Sequence, residues 1–280
     1  MAAAPPEIFD RRLRRIRRDR AARRGESFLE AHLRDELLAR LDGVTRSFHR
    51  ALLIGCGPEM LAGRGIAMVI ADCGFALAHA RGGVQCDEDR LPFADASFDL
   101  VLWPGGLERV NDVPGALALI RRILMPDGLL LAGFVGGGSL PALRMAMLAA
   151  DEAAHGGASP RLHPQIDLRS AGDLLQRAGF ALPVVDGDRL DVRYRSLATL
   201  IGDLRDAGAT NLLPDARPLG RHGAAAAHAA FAAAADPDGR TAERFEFVYL
   251  TAWSPAPDQP RPARRGSATA SLAAALDKKR

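Results

Sequence analysis

The sequence predicts an α/β protein with a doubly wound, mostly parallel sheet, and two observations support this prediction. Short apolar runs typical of buried parallel strands recur along the first half of the chain. Stretches with helical spacing separate them, as in βαβ units whose sheet is covered on both faces. The runs lie at 51–54, 67–71, 84–86, 98–103 and 128–135. The clearest helical stretch, from Pro114 to Leu124, lies between the last two runs.

The second half of the chain alternates less regularly. Helices are expected at 168–178, 196–207 and 222–235, and strands at 190–194 and 245–253. The last strand is assigned because it is rich in β-branched and aromatic residues. After Ser254 the composition shifts to proline, arginine, glycine and alanine. Residues 255–280 are therefore expected to form a disordered tail.

A basic segment precedes the predicted domain. Residues 11–24 contain nine arginines and one acidic residue, Asp19. Such a run forms a solvated helix face, or it contacts RNA, an acidic partner or an anionic membrane surface. A mitochondrial-type presequence is another interpretation, although Glu7 and Asp10 and the scarcity of serine count against it. We therefore divide the chain into a basic helical segment (1–45), a domain (46–254) and the tail.

Composition narrows the class of protein. A chain of 280 residues with 48% apolar and 25% charged residues can bury a full core. Its three cysteines form no CxxC pair, so a disulfide scaffold is not expected. We therefore expect the protein in a reducing compartment, the cytoplasm. No apolar run approaches the ~18 residues that cross a bilayer, and we expect no signal peptide.

Candidate ligand-binding residues follow the predicted strands, where ligands of parallel sheets bind. Gly55-Cys56-Gly57 ends the first strand and is expected to precede a helix, whose N-terminus would favour an anionic group. The alternative is an ordinary tight turn. Asp72 ends the second strand and either accepts hydrogen bonds from ribose hydroxyls or caps a helix. Asp87, after the third strand, is expected beside a base ring.

The order of these motifs resembles that of class I S-adenosylmethionine (SAM)-dependent methyltransferases of the "type 11" kind, over about residues 48–135. The resemblance rests on 52–57, 71–72, 87–93, 97–101 and 123–128. It implies a Rossmann-like class I methyltransferase fold, an enzyme of the methyltransferase type and SAM as its cofactor. The cofactor-binding residues that it implies are Gly55, Cys56, Gly57, Asp72, Cys73, Asp87, Glu88 and Trp103.

Several residues depart from this pattern. Leu53 stands where an acidic residue is usual, and Glu59 stands where a third glycine is usual. Glu59 would bring a second negative charge near the methionine carboxylate of SAM, at a cost on the order of a few kcal/mol. Pro58 removes an N–H donor from the turn. These departures predict that SAM binding is weakened or lost.

A narrower resemblance extends over nearly the whole chain. It rests on 8–11, 21–23, 110–112, 136–140, 177–180 and 265–269. These residues resemble the respiratory complex I assembly factors with a methyltransferase fold, a family with a reported arginine hydroxylase. More distantly, the chain resembles malonyl carrier-protein methyltransferases. The resemblance implies a protein substrate, a complex I subunit, and a cytoplasmic protein with peripheral contact at the inner membrane. It also favours a native N-terminal helix over a presequence.

Three functions therefore remain open. They are a SAM-dependent methyltransferase acting on a protein in complex I assembly, an arginine hydroxylase, and a non-catalytic assembly scaffold. No catalytic residue is assigned; Glu108, His155 and His163 are candidates, or else solvated loop residues. No histidine begins a His-x-Asp/Glu motif, so no metal site is predicted. No nucleic-acid partner is expected.

Overall fold

The computed structural model describes residues 7–259, in which a seven-stranded sheet carries the fold. The strands are β1 (Arg50–Ile54), β2 (Ala67–Asp72), β3 (Val84–Gln85), β4 (Phe98–Pro104), β5 (Leu124–Val135), β6 (Ala181–Tyr194) and β7 (Thr241–Trp253). Their order is β3-β2-β1-β4-β5-β7-β6. The first five strands pair in parallel, whereas β7 runs antiparallel to both β5 and β6. The predicted mostly parallel α/β architecture is confirmed.

Helices cover the two faces of the sheet. They are α1 (Arg11–Ala22), α2 (Phe28–Asp42), α3 (Phe75–Ala80), α4 (Val113–Ile123), α5 (Pro141–His155), α6 (Leu168–Arg177), α7 (Leu197–Asp206) and α8 (Gly220–Ala233). Strand side chains alternate between two cores, so Leu102 packs with α2, α5, α7 and α8 while Val101 packs with α4 and α6. Both side chains are fully buried, as expected for a central parallel strand.

The basic N-terminal segment folds into two helices. Asp10 begins α1 by accepting a hydrogen bond from the Leu13 N–H at 2.9 Å. Ser27 begins α2 in the same way, with the Leu29 N–H at 3.2 Å. Four leucines spaced by one helical turn then bury one face of α2: Leu29, Leu33, Leu37 and Leu41. The second helix is therefore part of the core, while α1 has no such stripe.

The helix expected after the glycine turn does not form. A single 3₁₀ turn, Pro58–Leu61, follows Gly57, and the chain then passes directly into β2. The prediction was wrong because Gly63 and Gly65 both adopt left-handed backbone angles, φ +76° and +68°, which end a right-handed helix. The glycine turn therefore lacks the helix N-terminus that would favour an anion.

The second half differs from the expectation mainly in the length of its elements. Strand β6 begins at Ala181 rather than at 190, and β7 begins at Thr241 rather than at 245. The two pair along their whole length and form the antiparallel edge of the sheet. Helix α5 was not predicted. Of the expected tail, residues 260–280 lie outside the described residues.

Candidate functional site

The carboxyl ends of β1 and β4 lie side by side where the strand order reverses. From β1 the order continues to β2 and β3, and from β4 it continues to β5. In open α/β sheets this switch point is where ligands bind. Gly55 follows β1 with φ +71°, a conformation that favours glycine. Its N–H donates to the Ala71 carbonyl at 2.8 Å, which holds the turn against the end of β2.

Acidic residues collect at this edge and are almost completely buried. Asp72, Asp87 and Glu88 expose only 2%, 4% and 5% of their surface. They follow β2 and β3, so the fold brings together the acidic residues that the sequence predicted for the site. Buried carboxylates need partners, because an unpaired buried charge is strongly unfavourable. Here those partners are arginines of α1.

Arg18 joins α1 to the ends of β1 and β2. Its Nη2 atom lies 3.1 Å from Asp72 Oδ2 and donates to the Gly55 carbonyl at 2.5 Å. Its Nη1 atom pairs with Glu30 of α2. Burial lowers the pKa of the Arg18 guanidinium, but Asp72 and Glu30 outweigh this effect and raise it above its ordinary value. Arg18 is therefore a fixed cation at the turn where a nucleotide would bind.

Arg14, one turn earlier, pairs with the residue after β3. Its two terminal nitrogens lie 2.6 and 2.7 Å from the two carboxylate oxygens of Glu88. This parallel two-bond geometry is the strongest arrangement of such a pair. Burial lowers the pKa of Arg14, yet the neighbouring Glu88 carboxylate raises it overall. Arg14 is itself buried, with 8% of its surface exposed.

Two further arginines extend the contact toward the 3₁₀ turn at Glu88–Arg90. Arg11 binds both oxygens of Asp89 at 2.7 Å, and Arg15 binds Asp87 at 2.6 Å. Burial raises the pKa of Asp89, but hydrogen bonding from Arg11 lowers it below its ordinary range. The residues at 11, 14, 15 and 18 share one face of the helix because they are three and four residues apart. Four of the nine arginines in residues 11–24 therefore pair with buried carboxylates instead of forming a solvated face.

Other arginines of the run point away from the sheet. Arg17, Arg20 and Arg24 line a surface cavity of about 350 Å³ together with Arg205 of α7. Burial and the neighbouring Arg20 lower the pKa of Arg17. On this outer face Arg20 is exposed, whereas Arg17 donates to the Asn211 carbonyl and Arg24, just after α1, pairs with Asp206 of α7.

The residues in this conformation do not fit SAM. The space between α1 and the strand ends measures only about 20 Å³ and is bounded by Arg14, Arg18, Asp72 and Glu88. On the other side of the turn, a Cβ placed on Gly57 would lie 2.2 Å from the Glu59 carboxylate, so that carboxylate covers the glycine. The acidic groups that would bind ribose hydroxyls already accept hydrogen bonds from arginine.

The remaining predicted cofactor residues occupy different surroundings. Cys73 borders the small space beside Arg14, and burial raises the pKa of its thiol to about 11. Cys56 lines a neighbouring cavity with Glu59. Trp103 is fully buried in the core under α4 and α6, and its indole N–H has no partner among the described residues. A cofactor role for these residues stays a prediction.

A second cavity adjoins the site. It measures about 290 Å³ and shares Glu30, Gly105 and Arg109 with the small space beside α1. Its walls are largely apolar: Leu29, Leu33, Val135, Leu140, Leu143, Met147, Ile201, Leu204, Leu219 and Phe245. No local sequence pattern indicated this cavity, since its lining comes from segments more than two hundred residues apart.

Charged groups stand at the end of the cavity next to β4. Glu108 and Arg109 form an ion pair at 3.0 Å, with 12% of each side chain exposed. The second Glu108 oxygen accepts from the Gly106 N–H at 3.1 Å. Arg109 donates to the Ala207 carbonyl at 3.1 Å and so connects the pair to the end of α7. Glu108 is thus a cavity residue rather than a solvated loop residue.

His163 also lines the cavity. Its Nε2 atom accepts a hydrogen bond from the Leu212 N–H at 2.9 Å, so the proton of the neutral ring is carried by Nδ1. Burial, with a smaller effect from Arg109, lowers the pKa of His163 to about 3. The ring is neutral at physiological pH and is a hydrogen-bond donor at Nδ1. His155, in contrast, is exposed at the end of α5 and does not join the site.

Metal-binding clusters and membrane-spanning helices are both absent from residues 7–259. In that part of the chain, no three or more histidine, cysteine, aspartate or glutamate residues are grouped so as to hold a metal ion. None of the helices described there has the length and apolar character to cross a membrane.

Comparison with known proteins connects the chain to two groups of relatives. The family model "Methyltransferase domain" matches residues 66–132. "Arginine-hydroxylase NDUFAF5, mitochondrial" of Danio rerio is 32% identical over 95% of this chain and 88% of its own length. "Malonyl-[acyl-carrier protein] O-methyltransferase" of Halorhodospira halophila is 32% identical over 88% of this chain and 89% of its own length.

The fold is also similar to that of solved structures. The crystal structure of the YcgJ protein from Bacillus subtilis superposes with a TM-score of 0.53, covering 81% of this chain and 99% of that one at 15% identity. The crystal structure of a "putative methyltransferase" from Bacillus halodurans superposes with a TM-score of 0.50, covering 78% of this chain and 97% of that one at 14% identity. The fold is therefore the Rossmann-like fold of the class I methyltransferases. Because the sequence similarity extends over nearly the full length of both chains, this protein belongs to the NDUFAF5 family of methyltransferase-domain proteins.

Proposed function

We propose that this protein acts on a protein substrate during the assembly of respiratory complex I. The observation that carries the proposal is the apolar cavity of about 290 Å³ that adjoins the ends of β1 and β4 and ends at Glu108 and Arg109. Such a cavity suits one long side chain of a partner, with its apolar stem along the leucines and its polar head at the ion pair.

The polar residues at the charged end of the cavity would bind the head group of the substrate side chain. Glu108 offers a carboxylate to a cationic or hydrogen-bond-donating head group, and Arg109 holds that carboxylate in place. His163 offers an N–H from Nδ1 and, being neutral, adds no charge. These groups bind and orient the substrate side chain; no step of bond formation is assigned to them.

The cofactor that we propose for the glycine turn is SAM, bound in a conformation in which α1 has left the site. The methyltransferase domain and the switch-point position of Gly55 support this assignment. The described conformation does not admit it, because Arg18 is bound to Asp72 and Gly55.

A specific observation favours a second function, a non-catalytic assembly scaffold. Four acidic residues at the site are all paired with arginines of α1: Asp72, Asp87, Glu88 and Asp89. A permanently closed site would leave a rigid fold that presents the outer face of α1 to partners. The Danio rerio relative is named as an arginine hydroxylase, which supports a third function, hydroxylation of an arginine side chain.

One experiment separates these functions. The gene is deleted, and complex I assembly and the masses of its subunits are measured with and without complementation. A subunit that gains the mass of one methylene group identifies methyl transfer, and a gain of one oxygen atom identifies hydroxylation. Assembly that depends on the gene without any mass change identifies the scaffold. Normal assembly with unchanged subunits would refute the proposal.

For its location we propose the cytoplasmic face of the inner membrane, reached by peripheral contact. The support is the outward cluster of Arg17, Arg20, Arg24 and Arg205, since clustered arginines are attracted to anionic lipids. Flotation with anionic vesicles tests this. Binding should disappear with zwitterionic vesicles and in the Arg20→Gln, Arg205→Gln double variant.

A further inference from the structure

We propose that α1 and SAM compete for one site, so that the chain binds SAM only when Arg14 and Arg18 have been withdrawn. This inference rests on the proposed function, in which SAM belongs to the glycine turn. It adds that the chain's own N-terminal helix is the competing occupant. The three points that support it are the bonding of the acidic groups, the extent of the α1 contact and the position of the linker to α2.

The first point is that Arg14 and Arg18 already bind the acidic groups that face the site. Asp72 Oδ1 accepts from the Gly74 N–H at 2.7 Å, and Oδ2 accepts from Arg18 Nε and Nη2 at 3.2 and 3.1 Å. Both oxygens of Glu88 accept from Arg14. Ribose hydroxyls would need the Asp72 oxygens as acceptors. With both guanidinium groups in place only about 20 Å³ remains between α1 and the strand ends, so a ribose cannot reach Asp72 while α1 is docked.

The second point is that α1 is docked along its length. Before the helix, the N–H groups of Ile8 and Phe9 both donate to Asn111 Oδ1 at 2.7 Å. Within the helix, Asp19 accepts from the Ala76 N–H at 2.8 Å, and Arg17 donates to the Asn211 carbonyl. The positions of the arginine side chains in the site are therefore fixed by a docked helix.

The third point is that the helix can leave without unfolding the domain. The connection to α2 consists of exposed residues 23–26. Within it Gly25 has φ +95° and no atom within 4 Å of the position of a Cβ. Helix α1 also lacks the buried leucine stripe that fixes α2 in the core. Its attachment is mainly electrostatic, so a partner that competes for the arginines would release it.

Competition has a quantitative consequence. The apparent Kd for SAM is the Kd of the open site divided by the fraction of open molecules. With α1 displaced in about 1% of molecules, the apparent affinity is about 100-fold weaker than that of the open site. Replacing Arg14 and Arg18 should restore the SAM affinity of the open site, whereas replacing two exposed arginines of the same helix should leave the affinity unchanged.

The test is calorimetric titration of SAM, and separately of S-adenosylhomocysteine, into three forms of the full chain. They are the wild type, the Arg14→Gln, Arg18→Gln variant, and a control, Arg12→Gln, Arg20→Gln. The control removes the same charge from exposed positions of the same helix. Circular dichroism and melting confirm that each form is folded. We expect binding at least about 100-fold tighter in the Arg14, Arg18 variant than in the other two.

A second measurement uses the wild type alone and so does not depend on the folding of a variant. Hydrogen exchange of the α1 amides is followed with and without millimolar SAM. Competition predicts protected amides without ligand and faster exchange when SAM binds. Tight SAM binding that leaves α1 protected would overturn the inference. So would equal SAM affinities in all three folded forms, including no binding by any of them. Subunit masses in the deletion strain test the proposed function separately.

Discussion

The Arg18 guanidinium lies 3.1 Å from the Asp72 carboxylate, and this contact joins a helix near the start of the chain to the end of β2. The side chains are 13% and 1% exposed, so the pair is withdrawn from water. The contact is made at the position where a methyltransferase fold would bind its cofactor. It explains why acidic residues typical of a nucleotide site can be buried here without a ligand.

Substitution Arg18→Gln should destabilise the protein, because Asp72 keeps only its backbone partner at Gly74. We expect the free energy of unfolding to fall by about 3 kcal/mol, as for other broken buried pairs. Urea denaturation measures it. The double variant with Asp72→Asn should lose less than the sum of the two single variants. Additive losses would show that the two residues are not coupled.

Substitution Glu59→Gly should leave stability nearly unchanged, because 62% of the Glu59 side chain is exposed. It uncovers Gly57, but it leaves Arg14 and Arg18 in place. We therefore expect its SAM affinity in calorimetry to stay close to that of the wild type and far below that of the Arg14→Gln, Arg18→Gln variant. Added to the Arg14→Gln, Arg18→Gln variant, the same change should tighten SAM binding by removing a like charge. SAM binding by Glu59→Gly as tight as that of the Arg14→Gln, Arg18→Gln variant would show that Glu59, not α1, closes the site.

His163 should make the protein less stable in acid. The pKa of His163 is about 3 in the folded protein and 6.5 in the reference state. Between these pH values the imidazole is protonated in the unfolded chain but neutral in the native protein. The free energy of unfolding therefore falls as the pH drops from 6.5 toward 3. Melting curves over this range should show a smaller fall for His163→Gln. Identical slopes for both proteins would contradict the burial of a neutral imidazole.

Substitution Ala209→Phe places a ring in the 290 Å³ cavity. We expect it to abolish complementation of the deletion strain while the melting temperature changes little, since the ring enters existing space. The matched control is Ala225→Phe on the exposed side of α8. Full complementation by Ala209→Phe would show that the cavity is not required for the function of the protein.

Cys73 should be unreactive at neutral pH. Burial raises the pKa of its thiol to about 11, and the thiolate is the reactive form. Peptide mapping by mass spectrometry after iodoacetamide treatment should show no modification of Cys73 at pH 7.5 until urea unfolds the chain. Rapid modification in the folded protein would mean that α1 opens readily from the site, since Cys73 lies beside Arg14.

Local patterns determined most of the fold. The continuous apolar runs ending at Ile54 and Asp72 are buried parallel strands, and the run from Pro114 is helix α4. They were predictable because a strand buried on both faces needs apolar side chains at every position. The meeting of Gly55, Asp72, Asp87 and Glu88 at one edge was also predictable, since parallel strands end on the same side of a sheet.

A helix was not predictable where the backbone N–H groups at its start donate to residues that are distant in the sequence. Helix α5 begins at Pro141 after Leu140, which offers no capping side chain. Its first N–H groups, at Ala142 and Leu143, instead donate to Glu243 at 3.2 and 2.8 Å, about a hundred residues further on. Sequence rules for helix starts detect only local caps.

The sequence by itself determined a methyltransferase fold, the edge of the sheet that carries the site and the presence of a strongly basic helix. Only the tertiary structure decided that Arg11, Arg14, Arg15 and Arg18 face inward and that the site is closed by the chain itself. The physical reason is that a buried carboxylate must find a cation. Which cation it finds depends on where a separate helix docks, and no local pattern of residues encodes that.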